Sequence, residues 1–95
     1  MNRPAQASWH FVYLARANDG SFYCGYARAP EARIKIHNEG KGSKSLRGRL
    51  PVRLVYQRRF FSKSEALRCE LALKRRSHTY KGALARRWMK RKSLR

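Results

Sequence analysis

The tightest constraint on the fold is a tripeptide, Asn18-Asp19-Gly20, set between two runs of strand-forming residues. Asn, Asp and Gly enter positive φ at little steric cost, so the chain reverses there and joins its flanks as a hairpin. The leading run, His10-Phe-Val-Tyr-Leu-Ala-Arg16, and the returning run, Ser21-Phe-Tyr-Cys-Gly-Tyr26, are rich in aromatic side chains. Period-two alternation places Phe11, Tyr13 and Ala15 on one face of the first strand, and Val12 and Leu14 on the other.

The pattern then changes. Pro30 suits a first helical turn, Glu31 complements the helix dipole, and Gly40 supplies a left-handed stop, so a helix of about ten residues is expected. From Gly40 to Arg49, glycines, serines and four basic side chains predict a mobile basic loop. Pro51 to Phe61 resumes strand character, with Pro51 at the strand's start, where its missing N–H does least harm. Ser62-Lys-Ser-Glu65 reads as a reciprocal capping box, predicting a second helix from about Lys63 to Arg76. A third helix begins after Ser77 or Thr79, with Tyr80, Leu84 and Trp88 as a core-facing stripe. Met1 to Ser8 is expected to be a flexible lead and Lys90 to Arg95 a frayed basic tail. The order of elements predicts an α+β chain, a small antiparallel sheet covered by helices, as one domain over residues 9–89.

Charge narrows the partners. With 24 Lys and Arg against 5 Asp and Glu, the 95-residue chain carries a formal +19. Such self-repulsion is offset by a polyanion, and nucleic acid fits best: each neutralised phosphate releases counterions, giving salt-sensitive, sequence-independent affinity. No apolar run approaches the roughly 20 residues of a spanning helix, and no signal-peptide pattern opens the chain. The expected location is the cytoplasm, with no membrane partner. Cys24 and Cys69 form no C-x-x-C pair, and His10, His37 and His78 share no zinc-finger spacing with them; two reduced core thiols are expected.

Five carboxylates leave little room for a two-metal centre, but magnesium is commonly held by one or two carboxylates plus water and phosphate. Glu70 falls inside the apolar arc of the second helix, between Ala66 and Leu67 on the wheel, where a carboxylate needs a cation. Lys74, four residues on, offers a simple surface pair instead. Glu65 is needed by the cap and Asp19 by the turn. Arg33 and His37, also four apart, project from one helical face. Arginine can fork onto phosphate oxygens, and histidine can orient phosphate or exchange a proton. Tyr13 and Tyr23, taken singly, are strand tyrosines with a satisfied hydroxyl.

Taken in order, Tyr13 in Phe11-Val12-Tyr13, Tyr23 in Tyr23-Cys24-Gly25, Arg33, His37 and Glu70 resemble the GIY-YIG nuclease family. The resemblance runs from about Trp9 to Arg76. It is strongest to the small stand-alone bacterial branch, through Asp19-Gly20, Arg33 to Asn38, Gly40-Lys41-Gly42 and Ser64 to Arg68. Phe11, Val12 and Cys24 depart from the family name's residues at backbone or packing positions, and no asparagine follows Asn38, where many relatives carry a late one. The resemblance implies a three-stranded antiparallel sheet flanked by helices and an endonuclease using one divalent ion, Mg or Mn, on Glu70. It further implies Tyr23 as general base, Tyr13 orienting the attacking water, Arg33 stabilising transition-state charge and His37 assisting the phosphate or relaying a proton. An ordinary tyrosine pKa near 10 is high for a base at pH 7, so neighbouring cations must favour the phenolate. DNA is expected over RNA, in single-stranded or branched form, gripped by Lys41, Lys44, Arg47 and Arg49, with bases stacking on Phe22 and Tyr26. The competing expectation is a non-catalytic DNA- or RNA-binding module on the same scaffold.

Overall fold

The computed structural model describes residues 8–94; of the expected lead, all but Ser8 lies outside the described residues. Seven elements follow one another. Strands β1 (His10–Arg16) and β2 (Phe22–Ala27) precede helix α1 (Pro30–Asn38) and a short 3-10 turn (Lys44–Leu46). Strand β3 (Arg53–Phe60) and helices α2 (Lys63–Lys74) and α3 (His78–Ser93) complete the chain. The sheet is antiparallel throughout, in the order β2-β1-β3, so the first strand is central and the other two are its edges.

The turn between β1 and β2 forms where expected, with Gly20 alone of its three residues at positive φ and Asn18 and Asp19 at ordinary φ. Gly20 sits at φ 87°, and the Asp19 carboxylate accepts from the Ser21 amide at 3.0 Å and the Ser21 hydroxyl at 2.6 Å. Those two donors hold the Asp19 carboxyl below its ordinary range, the hydroxyl first. In α1, Pro30 occupies the first turn with Glu31 beside it, and Gly40 follows the helix at φ 80°. Ser62 caps α2 by accepting from the Glu65 amide at 3.2 Å. Among the described residues no return bond from the Glu65 carboxylate accompanies it, so half of the expected capping box is present. Ser77 caps α3 in the same manner, accepting from the Tyr80 amide at 3.0 Å.

Because β1 is central, helices cover both of its faces. Val12 and Leu14 join Cys24, Val55, Ala66, Leu73 and Ala85 under α2 and α3. Tyr13 and Ala15 join Ala17, Ala27, Leu46 and Val52 on the α1 side. Both faces are apolar, so the alternation seen in β1 separates two cores, not core from solvent. Between Leu14 and Ala15 the pairing with β3 shifts register, from Leu14 opposite Tyr56 to Ala15 opposite Leu54.

Three expectations are corrected. The segment from Gly40 to Arg49 is anchored: Leu46, its only large apolar residue, is 1% exposed, burial worth roughly 1.5–3 kcal/mol for a leucine. The Lys90–Ser93 stretch is not a frayed tail but the last turn of α3, where three basic side chains complement the carbonyl end of the helix dipole. The α3 stripe is only half-buried, with Leu84 packed on the core and Tyr80 left 38% exposed.

Asn38 ties the end of α1 to the start of β3, donating to the Val52 carbonyl at 2.9 Å and accepting from the Val52 amide at 2.8 Å. Asn38→Ala strips both partners from the backbone groups of a buried residue. It is expected to cost about 1–3 kcal/mol, read as a lower urea midpoint at unchanged m-value; an unchanged midpoint would show the tie to be dispensable.

Candidate active site

Three of the singled-out side chains meet on the α1 side of the sheet. Tyr13 projects from the central strand and lies directly opposite Gly25 of β2. A Cβ at that position would come within 2.6 Å of the phenol carbon and oxygen of Tyr13. Gly25 is therefore what allows the Tyr13 ring to lie across β2. The Tyr13 hydroxyl is 2.9 Å from His37 Nε2, and both residues are almost sealed from solvent, at 1% and 3% exposure. Tyr23 completes the group, its ring 6.2 Å from that of Tyr13 and edge-on to His37 at 5.3 Å between centroids.

The protons in this cluster can be assigned from its bonds. The Ser43 amide donates to His37 Nδ1 at 3.2 Å. Nδ1 is then the acceptor, the neutral ring carries its hydrogen on Nε2, and Nε2–H donates to the Tyr13 oxygen. The Tyr13 hydroxyl hydrogen is left to point elsewhere. Gly42 makes this possible, because a Cβ there would collide with the imidazole at Nδ1. The roles of Gly25, Gly42 and the Ser43 amide were not read from the sequence. The Gly-Lys-Gly spacing was the available signal for one of them, since a glycine with ordinary φ marks a close approach.

Electrostatics separates the two tyrosines. Burial first, then the neighbouring Tyr23, pushes the Tyr13 phenol far above its ordinary value, which Arg33 only partly opposes. Tyr13 is thus a neutral hydrogen-bonding group, and the partly buried Tyr23 is the more exposed of the two phenols. Burial and the Arg33 charge together hold His37 below its usual value, in agreement with the neutral ring that the Ser43 bond requires. Arg33 itself is exposed, and its charge bears on both Tyr13 and His37.

Glu70 approaches from α2. Its backbone carbonyl lies 3.7 Å from the Cys24 thiol on β2. After burial, its carboxylate is the next largest influence raising that thiol to about 12. The same charge reaches Tyr13, although α2 packs on the face of β2 that carries Cys24, while Tyr23 and Tyr13 pack on the other face. The surface pair foreseen as the alternative is present as well: Lys74 Nζ stands 3.6 Å from the Glu70 carboxylate, whose side chain is 18% exposed. Among the described residues no three His, Cys, Asp or Glu side chains gather as a metal cage. A single carboxylate does not make a zinc site, whereas a hard ion such as magnesium keeps most of its waters and needs one or two carboxylates.

Arg49, expected among the phosphate contacts, is engaged structurally. Its guanidinium donates to the Ser45 carbonyl at 2.8 and 3.1 Å and to the Ser21 hydroxyl at 2.6 Å, tying the loop to the β1–β2 turn. Lys41, Lys44 and Arg47 are exposed on the same segment. Phe22 and Tyr26, expected as stacking platforms, pack against the core under α2 and α3. Phe22 is covered further by Arg16 at 4.6 Å and His78 at 4.9 Å, and Tyr26 bonds His10 at 2.7 Å. They are occupied already.

The family profile described as the GIY-YIG catalytic domain matches residues 9–82, a span that contains every residue of this cluster. The chain belongs to the GIY-YIG family. Among relatives of this GIY-YIG chain is a UPF0213 protein of Staphylococcus epidermidis, 52% identical over 65 residues, which are 68% of this chain and 79% of that one. A UPF0213 protein of Staphylococcus aureus Mu3 is 49% identical over the same shares. The solution structure of the UPF0213 protein of Bacillus halodurans is similar at a TM-score of 0.51 and 46% identity, covering 80% of this chain and 81% of that one. That of an E. faecalis protein reaches 0.54 at 32% identity, covering 100% and 94%. The GIY-YIG domain points to a family of nucleases.

One pH dependence follows from the buried imidazole. His37 has a lower pKa folded than unfolded, so below about pH 6.5 the unfolded chain binds more protons. Stability is therefore full above that pH and falls as pH drops toward the folded-state value. The partly buried His10 is shifted in the same direction, so the test compares melting temperatures from pH 7.5 to 5 in the parent and in His37→Gln. The parent should lose more on acidification; equal losses would remove His37 from the effect.

Proposed function

We propose that this chain is a single-metal endonuclease that hydrolyses phosphodiester bonds, acting on single-stranded or branched nucleic acid, DNA in preference to RNA. The observation that carries the reading is the pairing of a sealed, neutral Tyr13–His37 unit with a partly exposed Tyr23 on the neighbouring strand. In the reaction, Tyr23 as its phenolate accepts the proton from the attacking water, while the sealed Tyr13–His37 pair, on which the Tyr23 ring packs, holds that ring in position, a narrower role for Tyr13 than orienting the water. The water oxygen bonds to phosphorus as the bond to the leaving oxygen breaks. Arg33 neutralises the extra charge of the in-line transition state. Glu70 would hold a magnesium or manganese ion, which would supply charge neutralisation at the leaving oxygen. Lys74 has to release Glu70 for this to happen.

Here His37 is a positioning residue, a narrower role than contact with phosphate, because its two nitrogens are engaged by Ser43 and Tyr13. Labelled single-stranded, duplex and branched DNA and RNA, incubated with magnesium, manganese or chelator, test the function. Metal-dependent cuts in the single-stranded or branched forms are expected. A parent protein that binds the panel but cuts none of it would favour the non-catalytic module.

Lys41, Lys44 and Arg47 are proposed to meet the backbone beside this site. Replacing all three by alanine should make the slope of log affinity against log salt shallower by about 2, at about 0.7 per phosphate of a single strand. An unaltered slope would take these residues out of the interface.

A further inference from the structure

Beyond the cluster described above, a groove runs along the other edge of the sheet, between β3 and α3. Its middle section, about 420 Å³, is lined by Tyr56 and Arg58 from the strand and by Leu84, Arg87, Trp88 and Arg91 from the helix. Shared residues extend it at both ends. Tyr56, Arg58 and Leu84 continue into a space of about 200 Å³ bounded by Arg76 and Tyr80. Trp88 and Arg91 continue into one of about 300 Å³ bounded by Lys92 and Glu31. No residue of the Tyr13–His37 cluster, nor Glu70, lines any section.

The chemistry of the lining is uniform. Helix α3 has no acidic residue from His78 to Ser93, and Glu31 is the only carboxylate along the three sections. Cations lie over aromatic faces in two places: Arg76 sits 4.2 Å from the Tyr80 ring centre and Lys92 Nζ 4.8 Å from that of Trp88. From Tyr80 to Arg91 the helix rises by roughly 16 Å at about 1.5 Å per residue, the length of about five phosphates at the strand spacing of DNA. A lipid surface would be met by a flat apolar face, whereas this concave strip alternates guanidinium groups with aromatic rings. That alternation matches a strand whose charged backbone alternates with stackable bases.

We infer that the β3–α3 groove is a second nucleic-acid site, which holds a single-stranded segment by its phosphates on Arg58, Arg87 and Arg91 and stacks a base on Trp88 once the flexible Lys92 side chain moves off that ring. This extends the proposed function by giving the nuclease a guide for the strand outside its catalytic cluster, yet it requires no cutting. The site is tested on the full chain, in chelator, with labelled oligothymidylate. In a Trp9→Phe background Trp88 is the remaining tryptophan, since the chain holds two. Its emission should quench over the concentrations where the label's anisotropy rises. In the parent, Arg87→Ala with Arg91→Ala should make the salt slope shallower by about 1.4, at about 0.7 per phosphate, with the fold checked by thermal melting. Binding without a Trp88 response, or an unaltered slope in a folded double variant, overturns the site. So does quenching by anionic phosphatidylserine vesicles but not by the oligonucleotide. Because no arm depends on turnover, loss of the groove and loss of the nuclease reading give different results.

Discussion

Glu70→Ala is expected to abolish metal-dependent cleavage, by at least about a thousandfold, while binding to the same strand in chelator stays equal or becomes slightly tighter. The two readouts diverge because of charge. In the proposed mechanism Glu70 is the protein's one ligand to the ion, so its loss removes the Lewis acid at the leaving oxygen. The same substitution frees Lys74, now 3.6 Å away, and makes a strongly positive surface more so. Glu65→Ala is the matched control on the same helix. The helix cap rests on the Ser62 hydroxyl, so the control loses only a first-turn dipole contribution of about 0.3–1 kcal/mol. A folded Glu70→Ala protein that cuts at the parent's rate would end the single-ion assignment.

Tyr23→Phe and Arg33→Ala should each slow cleavage by at least about a hundredfold, the scale of losing a positioned base or one transition-state donor. Tyr23→Phe keeps the partly buried ring and Arg33 is exposed, so neither change opens a core cavity. Tyr13→Phe makes an informative contrast. Its hydroxyl is the buried partner of His37 Nε2, so this variant loses both an oriented hydroxyl and roughly 1–3 kcal/mol of stability through the unsatisfied imidazole. If Tyr23→Phe retains full turnover while remaining folded, the more exposed phenol is not the base, and Tyr13 would have to be reconsidered despite its burial.

The local chemistry of turns and caps was legible because a few residues decide each case. Asn18-Asp19-Gly20, Pro30 and Ser62 specify their structures without help from distant neighbours. Burial was less legible where packing is supplied by distant segments. Leu46 is one apolar residue in a run of lysine, serine and glycine, and only the docked structure shows that it completes the core beneath α1. Phe22 and Tyr26 looked available for stacking, yet Arg16 across the hairpin and His78 from α3 cover Phe22, and His10 from β1 bonds Tyr26. The candidate site divides in the same way. The resemblance to the GIY-YIG pattern picked out Tyr13, Tyr23, Arg33, His37 and Glu70 together, but it carried no information on proton positions. Those depend on the Ser43 amide and on the space left by Gly25 and Gly42.

The most direct test of the whole account is single-turnover cleavage of an end-labelled branched or single-stranded DNA by the parent and Glu70→Ala, alongside anisotropy binding in chelator. The account predicts that both proteins bind, that the parent cuts in magnesium or manganese but not in chelator, and that Glu70→Ala does not cut under any of these conditions. Metal-independent cutting by the parent, or equal cutting by the two proteins in magnesium, would contradict it.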